Sequence, residues 1–81
     1  MVYRTKGTCS QAINVEAENG IVTKVQFVGG CAGNTAGIAK LVVGMKVDDV
    51  ISRLEGTTCG PRPTSCPDQL AKALKQLKAE Q

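Results

Sequence analysis

The sequence predicts an α+β fold: a three-stranded antiparallel sheet followed by three helices packed on one face of it. Three observations carry this reading. Apolar and polar residues alternate between residues 12 and 28, the period of half-buried strands. From Ile38 onward, apolar residues recur at i, i+3, i+4 and i+7, the period of a helix buried along one side. Glycines and prolines fall between these patterned stretches, as turn residues do.

The elements follow in order. Residues 3–8 form a first strand with weak alternation. Residues 12–17 form the second, with Ile13, Val15 and Ala17 on one face and Asn14 and Glu16 on the other. Residues 21–28 form the third, with Ile21, Val25 and Phe27 on one face. The register depends on the loop between the last two. A two-residue Asn19-Gly20 loop pairs Val15 with Lys24 and Ile13 with Gln26, which puts the apolar rows on opposite faces. A three-residue Glu18-Asn19-Gly20 loop pairs Ala17 with Ile21, Val15 with Thr23 and Ile13 with Val25, and the rows coincide. With Gly20 in the left-handed position, the three-residue loop is the predicted one.

Gly29 and Gly30 close the third strand, and Asn34 or Thr35 caps a first helix with the stripe Ile38, Leu41, Val42 and Met45. Gly44 suits its end. Val47, Val50, Ile51 and Leu54 make the second stripe, with Asp48 and Asp49 in the first turn, where the helix dipole favours acidic groups. Gly56 ends it. Residues 56–67 are irregular and hold all three prolines and two of the four cysteines. Ser65-Cys66-Pro67-Asp68 then matches the S-x-x-D capping pattern and opens a third helix. Leu70, Ala73, Leu74 and Leu77 are its apolar stripe, and Lys72, Lys75 and Lys78 its solvated side. Asp68 reads as a capping carboxylate rather than a catalytic acid.

The 81 residues suit one domain, 1–81, with one small core. With 42% apolar and 21% charged residues the composition is globular, not disordered. No apolar run has the length of a membrane span, and the N-terminus lacks a signal-peptide core, so the expectation is a soluble cytoplasmic protein without a membrane partner. A charge of +3 with one Tyr and one Phe offers little to nucleic acid, which needs basic patches and stacking platforms. The chain has no histidine. That excludes Ser-His and Cys-His nucleophile pairs and mixed Cys/His zinc sites.

What remains is Cys9, Cys31, Cys59 and Cys66. There is no C-x-x-C pair, so a shared site has to be assembled by the fold. Each cysteine falls at the end of an element, where sites are built. Cys9 and Cys31 leave the same end of the predicted hairpin, whose register sets residue 11 opposite residue 27. Cys66 opens a helix able to return to that end, with Cys59 within reach of the loop. Cys31 and Cys66 precede or open helices, positions that lower a thiol's pKa. Low-pKa thiolates serve as metal ligands, nucleophiles or redox thiols, and the residues alone leave these roles open. Any one cysteine also has a core-filling reading. Four of them off the apolar stripes, flanked by Gly, Pro, Ser or Thr, point to chemistry. Four converging thiolates suit zinc or an iron–sulfur cluster. Gly29-Gly30-Cys31-Ala32-Gly33-Asn34 lacks the lysine of a phosphate-binding loop and reads as a tight strand-to-helix turn.

Thr64-Ser65-Cys66-Pro67-Asp68 spells the motif after which the TSCPD domain family is named, and the chain resembles that family elsewhere too. The blocks are Cys9-Ser10, Gly29-Gly30-Cys31-Ala32-Gly33-Asn34, Gly44-Met45, Cys59-Gly60 and Asp68-Gln69-Leu70-Ala71. The family occurs as small stand-alone proteins and as a C-terminal module of adenosylcobalamin-dependent ribonucleotide reductases. The resemblance therefore implies an accessory role beside a ribonucleotide reductase subunit, because a chain this short has no room for the catalytic barrel. A looser similarity, over residues 8–79, is to the U-type iron–sulfur cluster scaffold proteins and implies a scaffold-like fold. Cys9, Cys31 and Cys66 fall where that family keeps its three ligand cysteines. Gln11 stands where that family has an Asp, Ser65 where it often has a His, and Cys59 would supply a fourth ligand.

The reading is a metal-binding accessory module with Cys9, Cys31, Cys59 and Cys66 as ligands, zinc first and an iron–sulfur cluster second. Two alternatives stand beside it. One is a thiol redox partner of a reductase using Cys59 and Cys66. The other is a nucleotide-binding module.

Overall fold

A computed structural model describes residues 1–8, 10–29, 32–58 and 60–80, with the backbone alone at Ala32. The elements are β1 (Val2–Arg4), β2 (Ser10–Glu18), β3 (Ile21–Gly29), α1 (Ala32–Val42), α2 (Val47–Leu54) and α3 (Cys66–Glu80). The strands form one antiparallel sheet in the order β1-β2-β3. Helix α1 packs on β3, α3 packs on β2, and α2 packs against α3. This is the predicted α+β architecture. The folded surface is 4800 Å², close to the roughly 4,700 Å² expected for this mass. Among the described residues, no helix is long and apolar enough to cross a membrane.

Strand β1 is shorter than residues 3–8. Thr5 N–H still donates to Gln11 O of β2 at 3.2 Å, and beyond it the chain leaves the sheet. The Lys6 N–H donates to Gln69 Oε1 at 3.1 Å, and Gly7 takes φ 76°.

The β2–β3 hairpin corrects the predicted loop and keeps the predicted outcome. The loop has two residues, Asn19 and Gly20, at φ 54° and 76°, between the pair Glu18↔Ile21. Two positive φ values are those of a type I′ turn, whose twist suits a hairpin. On its own this loop would set the apolar rows on opposite faces. A β-bulge resolves the conflict: Glu16 pairs with Lys24 but Ala17 with Val22, so Thr23 is an extra residue in β3. Beyond it Val15 pairs with Val25 and Ile13 with Phe27. The rows coincide, two residues away from the predicted pairing, and Val22 rather than Ile21 enters the core.

A second bulge lies at the other end. Ser10 pairs with Gly29 and Ala12 with Val28, leaving Gln11 extra in β2. Residue 11 is therefore not opposite residue 27, as the predicted register had it.

Helix α1 starts at Ala32, so Asn34 and Thr35 lie inside it rather than capping it, and Thr35 is buried. Its inner face runs through Thr35, Ile38 and Val42. Leu41, at 100° per residue, falls roughly 90° from the centre of that face and is 76% exposed. Helix α1 ends at Val42, and a turn with Gly44 at φ 92° carries the chain back to the hairpin. There Gly44 N–H donates to Val22 O (2.8 Å) and Val22 N–H to Met45 O (2.9 Å). Met45 thus packs on the core from a turn, not from the helix.

Helix α2 matches its prediction, with Val47 and Val50 buried. In α3 the stripe Leu70, Ala73, Leu74 and Leu77 is buried as expected. With Ile13, Val15, Val22 and Val42, these side chains make the core between sheet and helices. The lysine face of α3 is exposed but not merely solvated. Lys72 pairs with Asp68 at 3.5 Å, Lys75 with Glu55, and Lys78 with Asp48 at 2.5 Å, so the last two bridge to the two ends of α2. The Lys75 and Lys78 pairs, exposed on both sides, contribute about 0–1 kcal/mol each.

Candidate functional site

The N-terminus of α3 is where chemistry-bearing and buried polar residues meet. Each residue of Thr64-Ser65-Cys66-Pro67-Asp68 has a physical task there. Ser65 is the N-cap: its Oγ accepts from the Asp68 N–H at 3.2 Å. The same hydroxyl donates to Thr57 O at 2.6 Å, and Ser65 O accepts the Gln69 N–H at 2.8 Å. Cys66 is the first helical residue, at the terminus that favours negative charge. Pro67 stands in the first turn, where its missing N–H leaves no helical bond unmade.

Asp68 does not reach back to the cap backbone as a capping box would have it. It is 4% exposed and clamps two parts of the chain. Oδ1 accepts from Gly56 N–H at 2.7 Å and Oδ2 from the Thr64 hydroxyl at 2.5 Å. The Thr64 bond, helped by Gly56 and Lys72, holds its pKa below the usual carboxylate range although burial pushes the other way. Thr64 Oγ1 in turn accepts from Gln69 Nε2 at 2.9 Å. Among the described residues no buried side-chain nitrogen or oxygen lacks a partner.

Cys66 also faces the sheet. Its Sγ is 3.3 Å from Ser10 Oγ, and Ser10, at the start of β2, is 4% exposed. Ser10 Oγ is 3.0 Å from Thr8 Oγ1, and Ser10 O accepts the Thr5 hydroxyl at 2.5 Å. The start of β2, the end of β3 at Gly29 and the start of α3 are thereby held together.

Of the four predicted ligands, Cys66 is placed. Cys9, Cys31 and Cys59 lie outside the described residues. Among the described residues no group of three or more acidic or cysteine side chains is arranged to hold a metal ion. Sequence reasoning missed Ser10, Thr64 and Gln69 as members of this cluster. The S-x-x-D pattern located the cap, but nothing in the spacing signals the Gln11 bulge that turns Ser10 inward.

The chain belongs to the TSCPD domain family, whose profile matches residues 1–78. That family is associated with ribonucleotide reductases. No curated protein and no solved structure matched the chain, so the likeness to cluster scaffold proteins rests on residue order alone.

Proposed function

We propose that this protein is an accessory module of ribonucleotide reduction that binds one metal centre through Cys9, Cys31, Cys59 and Cys66. The observation that carries the reading is the contact between Ser10 Oγ and Cys66 Sγ at 3.3 Å, with Ser10 paired to Gly29. In sequence, Cys9 adjoins Ser10 and Cys31 follows Gly29 by two residues. The start of α3 and the strand ends next to two further cysteines are therefore neighbours.

The donor set fits a soft metal. Four thiolates with no histidine suit zinc first and an iron–sulfur cluster second. Asp68 is not a competing ligand, since both its oxygens are engaged with Gly56 and Thr64. Bound zinc would supply cross-linking between the sheet end and α3. Small domains gain much of their stability from such a site. The partner on this reading is a ribonucleotide reductase subunit, the enzyme with which the family is associated.

Single Cys→Ser variants test the ligand set. Each is expected to lose metal and to lower the melting temperature. Four variants that keep both would overturn the proposal.

A further inference from the structure

The bulge at Gln11 in β2 has an effect that the fold alone does not require. Ile13 and Val15 point to the helices, so strict alternation would send Gln11 inward and Ser10 to the open face of the sheet. The reverse holds: Gln11 is exposed and Ser10 is buried. The register shift between Ser10 and Ala12 is what reverses them. Bulges re-aim side chains next to sites in this way. Here the side chain turned inward is a hydroxyl, and it meets Cys66 Sγ.

The proton count around Ser10 sets the direction of that contact. Ser10 Oγ has one proton and, among the described residues, two neighbours, Cys66 Sγ at 3.3 Å and Thr8 Oγ1 at 3.0 Å. Thr8 also has one proton and can give it to Ser10 O, at 3.2 Å, or to Ser10 Oγ. A metal-bound thiolate has no proton to give. With Cys66 as a ligand, Ser10 is the only donor in this contact, and Thr8 donates to Ser10. Every hydroxyl is then used. The backbone of Ser10 is held for this task by the Thr5 hydroxyl on its carbonyl at 2.5 Å.

We infer that Ser10 is a positioning residue of the metal centre, donating its hydroxyl hydrogen bond to the Cys66 thiolate and fixing that ligand's orientation. The inference rests on the proposed metal-binding function. Partners of this kind behind metal ligands typically change affinity 10–100-fold when removed.

The test is Co²⁺ binding to reduced, metal-free full-length chain, followed by its sulfur-to-cobalt charge-transfer absorption and by competition with a chelator. Ser10→Ala is expected to weaken Co²⁺ binding about tenfold. It should also move the charge-transfer band to longer wavelength, because an unbonded thiolate gives up an electron more easily. Ser10→Thr, which keeps the hydroxyl, should restore both. Thr8→Ala leaves the Ser10 proton for Cys66 and should bind within about twofold of wild type, which separates a direct bond from general loosening of the segment. Wild-type affinity and an unmoved band in Ser10→Ala would overturn the inference while leaving the metal proposal intact. A wild-type chain that takes up no Co²⁺ would overturn both.

Discussion

The Gly56 backbone N–H, just past α2, donates at 2.7 Å to Oδ1 of Asp68 in the first turn of α3. One carboxylate thus joins the end of one helix to the start of the next across the irregular loop of residues 57–65. Its other oxygen takes the Thr64 hydroxyl, so the loop's last turn is fixed by the same group. Removing the carboxylate leaves buried donors without acceptors. Asp68→Ala is expected to cost about 2–3 kcal/mol in urea unfolding. A loss under about 0.5 kcal/mol, the level of an ordinary surface change, would contradict this role.

The same group makes a pH prediction. In the folded chain the Thr64 hydrogen bond, then Gly56 and Lys72, lower the Asp68 pKa. Unfolded, it titrates near the ordinary value of about 3.9. A carboxylate with a depressed folded pKa stabilises the fold above the unfolded value. That contribution is lost as pH falls through about 3.9 toward the folded value. In the metal-free chain this contribution to the melting temperature should hold between neutral pH and about 5 and be lost below about 4. Asp68→Asn should start lower and fall less steeply. Parallel wild-type and variant curves would assign the acid response elsewhere.

The hairpin tests the register. Gly20→Ala puts a Cβ on a residue at φ 76° and is expected to cost about 1–2 kcal/mol. Deleting Thr23 removes the bulge and leaves Val22 opposite Ala17 and Val25 opposite Val15, so Val22 keeps its place in the core. Val22→Ala, which truncates a side chain 1% exposed, should cost about 1.5–3 kcal/mol. Urea titration reads all three, and a Thr23 deletion as costly as Val22→Ala would mean that Thr23 is not the extra residue of the hairpin.

Two leucines test the helix faces. Leu41 is 76% exposed and Leu74 fully buried. Leu41→Ser is expected within about 0.5 kcal/mol of wild type, and Leu74→Ala to cost about 2–5 kcal/mol. Similar losses at the two positions would show that α1 is turned differently.

Where periodicity has many residues behind it, the sequence was legible. The stripes of α2 and α3 and the Ser65 cap stand as read, because each repeats over two or more turns. The hairpin was legible in outcome but not in means. Asn19-Gly20 is a strong two-residue turn signal, but with strict alternation it buries the wrong row. A single inserted residue, Thr23, reconciles turn and pattern, and no local signal names it. Leu41 fits the apolar stripe but lies outside the buried face, because i+3 and i+4 neighbours both fit a stripe until the width of that face is known. At the site, Cys66 was legible from residue type and position. Its hydroxyl neighbour was not, since Ser10 comes 56 residues earlier and faces inward only through a bulge.

The central claim is that the four cysteines hold a metal. The most direct measurement is the metal content of untagged protein purified without oxygen, taken with its visible spectrum. The account predicts close to one zinc per chain and no colour, or a brown iron-containing protein if the centre is a cluster. Metal-free protein that also takes up neither zinc nor iron when they are supplied would contradict it.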